Sequence, residues 1–224
     1  MNTMLSYVLD GEVAVITLDD GKANACGFTM LEAINIALDR AQREARAVAL
    51  LGRPGVLSGG FDLKVNNGGD QDALTRTLTL GVQTLMRLYG LPLPLVTAAT
   101  GHAVALGAFI LLTSDYRFGA AGNFKLGLNE TAIGLALPAF GLELAEARLS
   151  RRHLTQATLL ARLYAPLAAV DVGFLDEVVP GDSLRAAAIA KASELAKLDA
   201  AAFAASKQGQ RGAAIARVLS TLAG

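Results

Sequence analysis

Apolar and polar positions alternate through EVAVITLDD (12–20), and the run closes on an acidic turn, a pattern that predicts a half-buried strand. After the loop GKANACG the spacing changes. In FTMLEAINIALDRAQRE (28–44), Met30, Leu31, Ile34, Ala37, Leu38 and Ala41 recur at helical intervals, with Thr29 as the predicted cap. ARAVALLGR (45–53) then reads as a second, more buried strand. Strand, helix and strand in this order make a βαβ unit, with parallel strands and a right-handed crossover expected. The Gly- and Asn-rich stretch PGVLSGGFDLKVNNGGDQD (54–72) predicts a long functional loop, and 73–89 a clear helix. GLPLPLVTAATG (90–101) carries a proline pair and then a short strand. The pattern repeats in HAVALGAFILLTSDY (102–116), read as a turn and a buried helix, and in RFGAAGNFKLG (117–127), read as strand and loop. From about residue 139 the pattern is helical, apart from a turn and short strand within 172–184, and it ends in Ala-rich helices. With no linker in view, residues 1–224 are expected to form one α/β domain, a core to about 180 and a helical tail over 181–224.

Composition narrows the functional classes. Hydrophobic residues make up 53% of the chain and charged residues 18%, with small Ala and Gly prominent. That surplus suits close helix packing and buried subunit contacts, so an oligomer is expected. The longest apolar candidate, AVALGAFILL (103–112), is too short to span a bilayer, and the amino terminus lacks a basic patch followed by an apolar run. A cytoplasmic protein without membrane partners is the expectation. Twenty basic and 20 acidic residues cancel, so bulk charge draws the chain neither to nucleic acid nor to anionic lipid. Cys26 is the only cysteine, which excludes an intramolecular disulfide and a multi-cysteine metal site.

The familiar catalytic signatures are missing: no phosphate-binding loop, no dinucleotide fingerprint, no nucleophile elbow, no paired-histidine zinc motif. The two histidines, His102 and His153, read as ordinary polar residues. What remains are two glycine-bearing turns, SGGFDL (58–63) and GHAVALGAF (101–109), each after a strand and leading toward a helix. Backbone N–H groups there can converge on an oxygen anion, or the glycines simply let the chain turn. One short segment later, FKLGLNETAIGL (124–135) holds a lone carboxylate, Glu130, among apolar residues and glycines. It either faces water as a loop or cap residue, or sits in a dry pocket where burial raises its pKa. Taken together, the three features fit enolate chemistry on a thioester, with a carboxylate moving the α or γ proton.

These segments carry a resemblance. KANA (22–25), RPGVLSGGFDL (53–63), LPLVTAATGHAVALGAFILLTSDYRFGA (93–120), LGLNETAIGL (126–135) and AAVDVGFLDEVVP (168–180) stand in the order found in the crotonase, or enoyl-CoA hydratase/isomerase, superfamily. The chain is most similar to the members that convert 3-enoyl-CoA to 2-enoyl-CoA. The resemblance implies a crotonase-like spiral of repeated ββα units with a C-terminal helical trimerisation region, and a homotrimer or dimer of trimers. It implies an acyl-CoA thioester substrate and no separate cofactor, coenzyme A entering as part of the substrate. Carried over residue by residue, Phe61 and Leu106 would supply the oxyanion N–H groups and Glu130 the acid/base. Ala23, Ala25, Gly60, Asp62, Leu63, Gly107 and Phe109 would line the substrate site. Phe109 stands where hydratases of the family have the first of two glutamates, which favours double-bond migration over hydration. The family's glycine triplet reads ALG here, so the Leu106 side chain is expected to crowd the thioester or demand an unfavoured backbone. The chain is also short for the family, with reduced C-terminal cover over the acyl pocket expected. An isomerase, a hydratase or related enzyme, and a non-catalytic acyl-CoA binder all follow from these features.

Overall fold

The computed structural model describes residues 4–62 and 71–222. β1 (Leu5–Asp10) and β2 (Val13–Leu18) form an antiparallel hairpin turned at Gly11, whose φ is +57°. α1 (Phe28–Glu44) then leads to β3 (Ala47–Leu51), which lies parallel to β2 as the βαβ pattern requires. β4 (Gly55–Ser58), α2 (Gln71–Tyr89), β5 (Leu95–Ala99), β6 (Gly101–Val104) and α3 (Leu106–Thr113) follow. β7 (Tyr116–Ala120), β8 (Leu126–Gly127), a 3₁₀ turn (Thr131–Ile133) and α4 (Ala139–Arg148) come next. α5 (Leu154–Thr158), α6 (Pro166–Val172), β9 (Glu177–Val179), α7 (Leu184–Leu195) and α8 (Ala200–Ser220) complete the order.

The strands sort into two sheets, ordered β1-β2-β3-β5-β7-β9 and β4-β6-β8. Pairs β3β4, β5β6 and β7β8 each give their first strand to the large sheet and their second to the small one, with a helix after each pair. This is the ββα repeat that the family resemblance implies. Every β4-β6-β8 pairing is parallel, so the chain leaves these strands toward the same end.

Three readings from the hydrophobic pattern need correction. The second strands of the repeats were expected as loop or turn, yet they pair; four, four and two residues long and glycine-bearing, they are too short to show a period. β2 is buried on both faces: Ala14, Ile16 and Leu18 pack toward α1, whereas Val13 and Val15 pack toward Leu184, Ala188 and Ala192 of α7. A strand between two helical layers loses its solvent face. Thr29 does not cap α1; the helix begins one residue earlier, behind extended Gly27, and Leu31 N donates to the Gly27 carbonyl. The predicted buried stripe of α1, from Met30 to Ala41, is present in full. Among the described residues no helix is long and apolar enough to cross a membrane.

Candidate active site

Both glycine turns lie at the carboxyl end of the small sheet. After β4 the chain runs through Gly59 to Gly60, whose φ of +115° suits a residue without Cβ. Cys26 N donates to the Gly60 carbonyl at 2.9 Å, and Cys26 forms an isolated parallel bridge with Phe61. In a parallel bridge the residues flanking the paired one face its partner, so the Phe61 N–H is directed to the opposite edge. After β6, Ala105 takes φ +52° and ψ −119°, and α3 begins at Leu106. The Ala105 carbonyl accepts from Ala108 N at 2.9 Å and Phe109 N at 3.0 Å. The Leu106 and Gly107 amides belong to the first turn of α3 and have no carbonyl one turn behind them.

Glycine lets the two turns touch. A Cβ on Gly60 would stand 3.2 Å from Ala105 Cβ, and one on Gly107 only 2.3 Å from the Ser58 carbonyl oxygen. Gly107→Ala is therefore expected to push α3 away from β4, costing about 1–3 kcal/mol by overpacking. Urea unfolding checks this; a midpoint equal to wild type would show that the contact relaxes freely.

The ALG departure has a different consequence from the one expected. Leu106 is 1% exposed and its side chain belongs to the core, not to the cavity beside the turns. Positive φ falls on Ala105, which has the smallest Cβ-bearing side chain, because the helix starts immediately after it. Crowding of a substrate by Leu106 does not arise.

That cavity, about 510 Å³, is lined by Gly60, Phe61, Ala105 and Phe109 from the two turns and by Asn129 and Glu130 from beyond β8. Leu78 and Val82 of α2, Phe140 of α4 and Leu222 after α8 make its apolar walls. Glycines on these helices receive the aromatic rings: a Cβ on Gly81 would meet the Phe61 ring at 2.6 Å, and one on Gly141 the Phe109 ring at 2.8 Å. The Phe109 and Phe140 rings meet edge to face with centroids 5.0 Å apart. Cover from the C-terminal side is present, since Thr221 and Leu222 reach the cavity.

Among the described residues Glu130 is the only carboxylate that lines the cavity. Its carbonyl accepts from Ile133 N at 3.1 Å and Leu135 N at 2.9 Å, which fixes the backbone at the start of the 3₁₀ turn. The residue is 8% exposed, and its Oε2 is buried without a hydrogen-bond partner among the described residues. Burial pushes the carboxyl pKa above its ordinary value, only partly opposed by its own amide and that of Asn129. A carboxylate so placed can take up a proton more readily than one in water. The solvated-cap reading of Glu130 is thereby replaced by the dry-pocket one.

Phe61, Gly60, Phe109 and Glu130 thus come together around one cavity, with the Leu106 amide in the adjoining helix turn. Ala23, Ala25, Asp62 and Gly107 do not line it. The loop of Ala23 and Ala25 packs beside the first turn instead: Gly59 N donates to the Ala23 carbonyl at 2.9 Å, and Asp62 Cβ lies 3.4 Å from where a Gly27 Cβ would be. Ala25 N donates within the loop to Asp20 Oδ2 at 3.2 Å, and Gly107 stands in the first turn of α3. Leu63 lies outside the described residues. His102 and His153 stay clear of the cavity; His102 Nδ1 accepts from Lys125 N, and His153 faces Asp171. Glu143 pairs with Arg217 at 2.9 Å. The reading from sequence missed Asn24, Ser58, Ala105, Leu222 and the apolar Ile133 and Leu135. Only Asn24, of a residue type enriched at positive φ, carried a local signal.

Comparison with known proteins identifies the family. The family model described as "Enoyl-CoA hydratase/isomerase" matches residues 9–220. Human mitochondrial enoyl-CoA delta isomerase 1 is 33% identical over 182 residues, covering 79% of this chain and 60% of the human protein. A probable enoyl-CoA hydratase of Rhodobacter capsulatus is 30% identical, covering 91% of this chain and 79% of that protein. Among solved structures, an apo enoyl-CoA isomerase of Mycobacterium tuberculosis superposes with a TM-score of 0.94 at 37% identity, over 100% of this chain and 98% of that one.

Proposed function

Because the chain belongs to the enoyl-CoA hydratase/isomerase family, we propose that it shifts the double bond of a 3-enoyl-CoA to the 2 position, with Glu130 as sole proton carrier. One observation carries the reading. Among the described residues Glu130 is the single carboxylate lining the cavity, and Phe109, at the position of a hydratase's first glutamate, fills that position with a buried ring. Removing a proton beside a thioester drives charge onto the carbonyl oxygen. The Phe61 and Leu106 amides would receive that charge, each worth roughly 3–4 kcal/mol at the transition state when well aimed. Glu130 would take the proton from C2, its raised pKa favouring the protonated form, and return it at C4. Apolar walls keep out the water that would otherwise add or exchange. Coenzyme A enters only as the substrate's thioester, and no other cofactor is required. The same reading includes assembly as a trimer or dimer of trimers, to which exposed Leu159, Leu160 and Leu167 offer apolar surface.

The test is to give wild-type protein a 3-enoyl-CoA and, separately, a 2-enoyl-CoA while following the conjugated-thioester absorbance. Absorbance should rise with the first and hold nearly steady with the second. A robust fall with the second would assign hydration, the activity in the R. capsulatus protein's name, and no change with either would leave only binding. Phe109→Glu is expected to gain little hydration, because a new charge against Phe140 costs several kcal/mol of stability. A melting temperature unchanged from wild type, together with fast hydration, would contradict that.

A further inference from the structure

We propose that Ser58 is the positioning residue that sets both proposed oxyanion donors, an inference that rests on the oxyanion part of the reading above. Ser58 is 0% exposed at the end of β4, where the β4–β6 register shifts between Val56 and Ser58. Its hydroxyl works in both directions: Oγ donates to the Asn24 carbonyl at 2.7 Å and accepts from Gly60 N at 3.2 Å. Gly60 is the residue whose left-handed φ turns the chain into Phe61, so the hydroxyl holds the amide immediately before the first donor. The main chain of Ser58 meets the second turn. Its carbonyl oxygen lies 2.3 Å from where a Gly107 Cβ would be, one residue beyond the Leu106 amide. One residue therefore braces the first turn with its side chain and spaces the second with its backbone.

The other anchor of the hydroxyl is rigid. Asn24 is fully buried with φ +51°, and its carboxamide donates to the Leu18 carbonyl at 3.0 Å and the Leu57 carbonyl at 3.1 Å. Its Oδ1 accepts from Asp20 N at 3.0 Å. The Asn24 carbonyl that receives Ser58 Oγ is thus tied to β2, to β4 and to the loop between. Cys26 Sγ lies 3.6 Å from the same hydroxyl, and burial raises its thiol pKa to about 11, so it remains a neutral neighbour. Removing the hydroxyl would leave the Gly60 N–H and the Asn24 carbonyl without that partner in a dry place and free the turn to tilt. Ground-state binding along the acyl chain is not touched, because Ser58 does not line the cavity.

The experiment compares wild type, Ser58→Ala and Ser58→Thr by thermal melting, by kcat and KM on 3-enoyl-CoA, and by the enolate absorbance of bound acetoacetyl-CoA. That last signal reads oxyanion stabilisation without turnover. Ser58→Ala should lower kcat about 10- to 100-fold, less than the loss of one donor outright, with KM little changed. Its bound acetoacetyl-CoA should show weaker enolate absorbance at equal occupancy, and Ser58→Thr, which keeps the hydroxyl, should recover part of both signals. Wild-type enolate absorbance that Ser58→Ala retains in full overturns the inference alone. A bound acetoacetyl-CoA that stays un-ionised on wild type overturns the oxyanion reading and this inference with it. Parallel loss of melting temperature, kcat and affinity in Ser58→Ala assigns the residue to the fold and equally overturns the proposal.

Discussion

Glu130→Gln is expected to lower turnover of 3-enoyl-CoA by about 10²–10⁴-fold, the usual range for losing a general base. Glutamine keeps the size of the side chain but cannot accept the proton. Affinity for a saturated acyl-CoA should be nearly unchanged, because the walls that would hold it, such as Leu78, Val82 and Phe140, are untouched. Stability should move the other way. Burial raises the folded-state pKa above the ordinary value of 4.5, so folding disfavours the charged form. The contribution of this titration is fully present below the unfolded pKa and is lost as pH rises through the folded one. At neutral pH Glu130 therefore costs stability, and the glutamine variant should melt higher than wild type. At a pH below the unfolded value the difference should shrink. Steady-state kinetics and melts at two pH values check both halves. Wild-type turnover in the variant would move the shuttle to another residue, and a lower melting point at neutral pH would show Oε2 to be satisfied in solution.

Asp115→Ala is expected to destabilise the protein by about 3–5 kcal/mol, the range for leaving buried charges unpaired. For a chain of this size that lowers the melting temperature by roughly 6–20 °C. Asp115 joins α8 to the body: Oδ2 accepts from Lys207 Nζ at 2.6 Å and from Leu95 N at 2.8 Å, while Oδ1 lies 2.9 Å from Arg211 Nη2. The Lys207 and Arg211 side chains are 4% and 5% exposed. Burial already lowers the Lys207 pKa to about 8 although Asp115 opposes the shift, and burial with neighbouring Arg117 and Arg211 lowers Arg148 to about 10. Losing the one carboxylate that both α8 cations share leaves them facing each other. A depressed lysine pKa contributes stability above the unfolded value and loses it as pH falls through the folded one, so the variant's deficit should be smaller at pH 10 than at pH 7. Because α8 leads to Thr221 and Leu222 at the cavity, its loosening should also raise KM. Chemical denaturation at both pH values measures this, and a loss below about 1 kcal/mol would place the cluster among weak surface pairs.

The α1 stripe, β3 and β5 were legible because their apolar positions repeat often enough to define a period and fill a layer. Glu130 was legible as an anomaly, a charge where its neighbours are apolar. Its burial was not, since that depends on residues distant in sequence, Phe61, Phe109 and Phe140 among them, meeting it around one cavity. β4, β6 and β8 were hidden because two to four residues cannot display a period, and their pairing is decided by strands 20 to 50 positions away. The Leu106 reading failed for a related reason: one more residue of turn before the helix shifts the strained φ onto Ala105 and rotates leucine into the core. Ser58 gave no signal at all. A serine in a glycine-rich turn is common, and its partners Asn24 and Gly60 meet only once the loop before α1 pairs with the turn after β4.

The most direct test of a single-carboxylate shuttle is the product that wild-type protein makes from a 3-enoyl-CoA in D₂O, read by mass spectrometry and NMR. Glu130 acting alone at the apolar cavity should give the isomeric 2-enoyl-CoA with no added water and at most one deuterium, located at C4. A product heavier by one molecule of D₂O, or recovery of unchanged 3-enoyl-CoA, would contradict it.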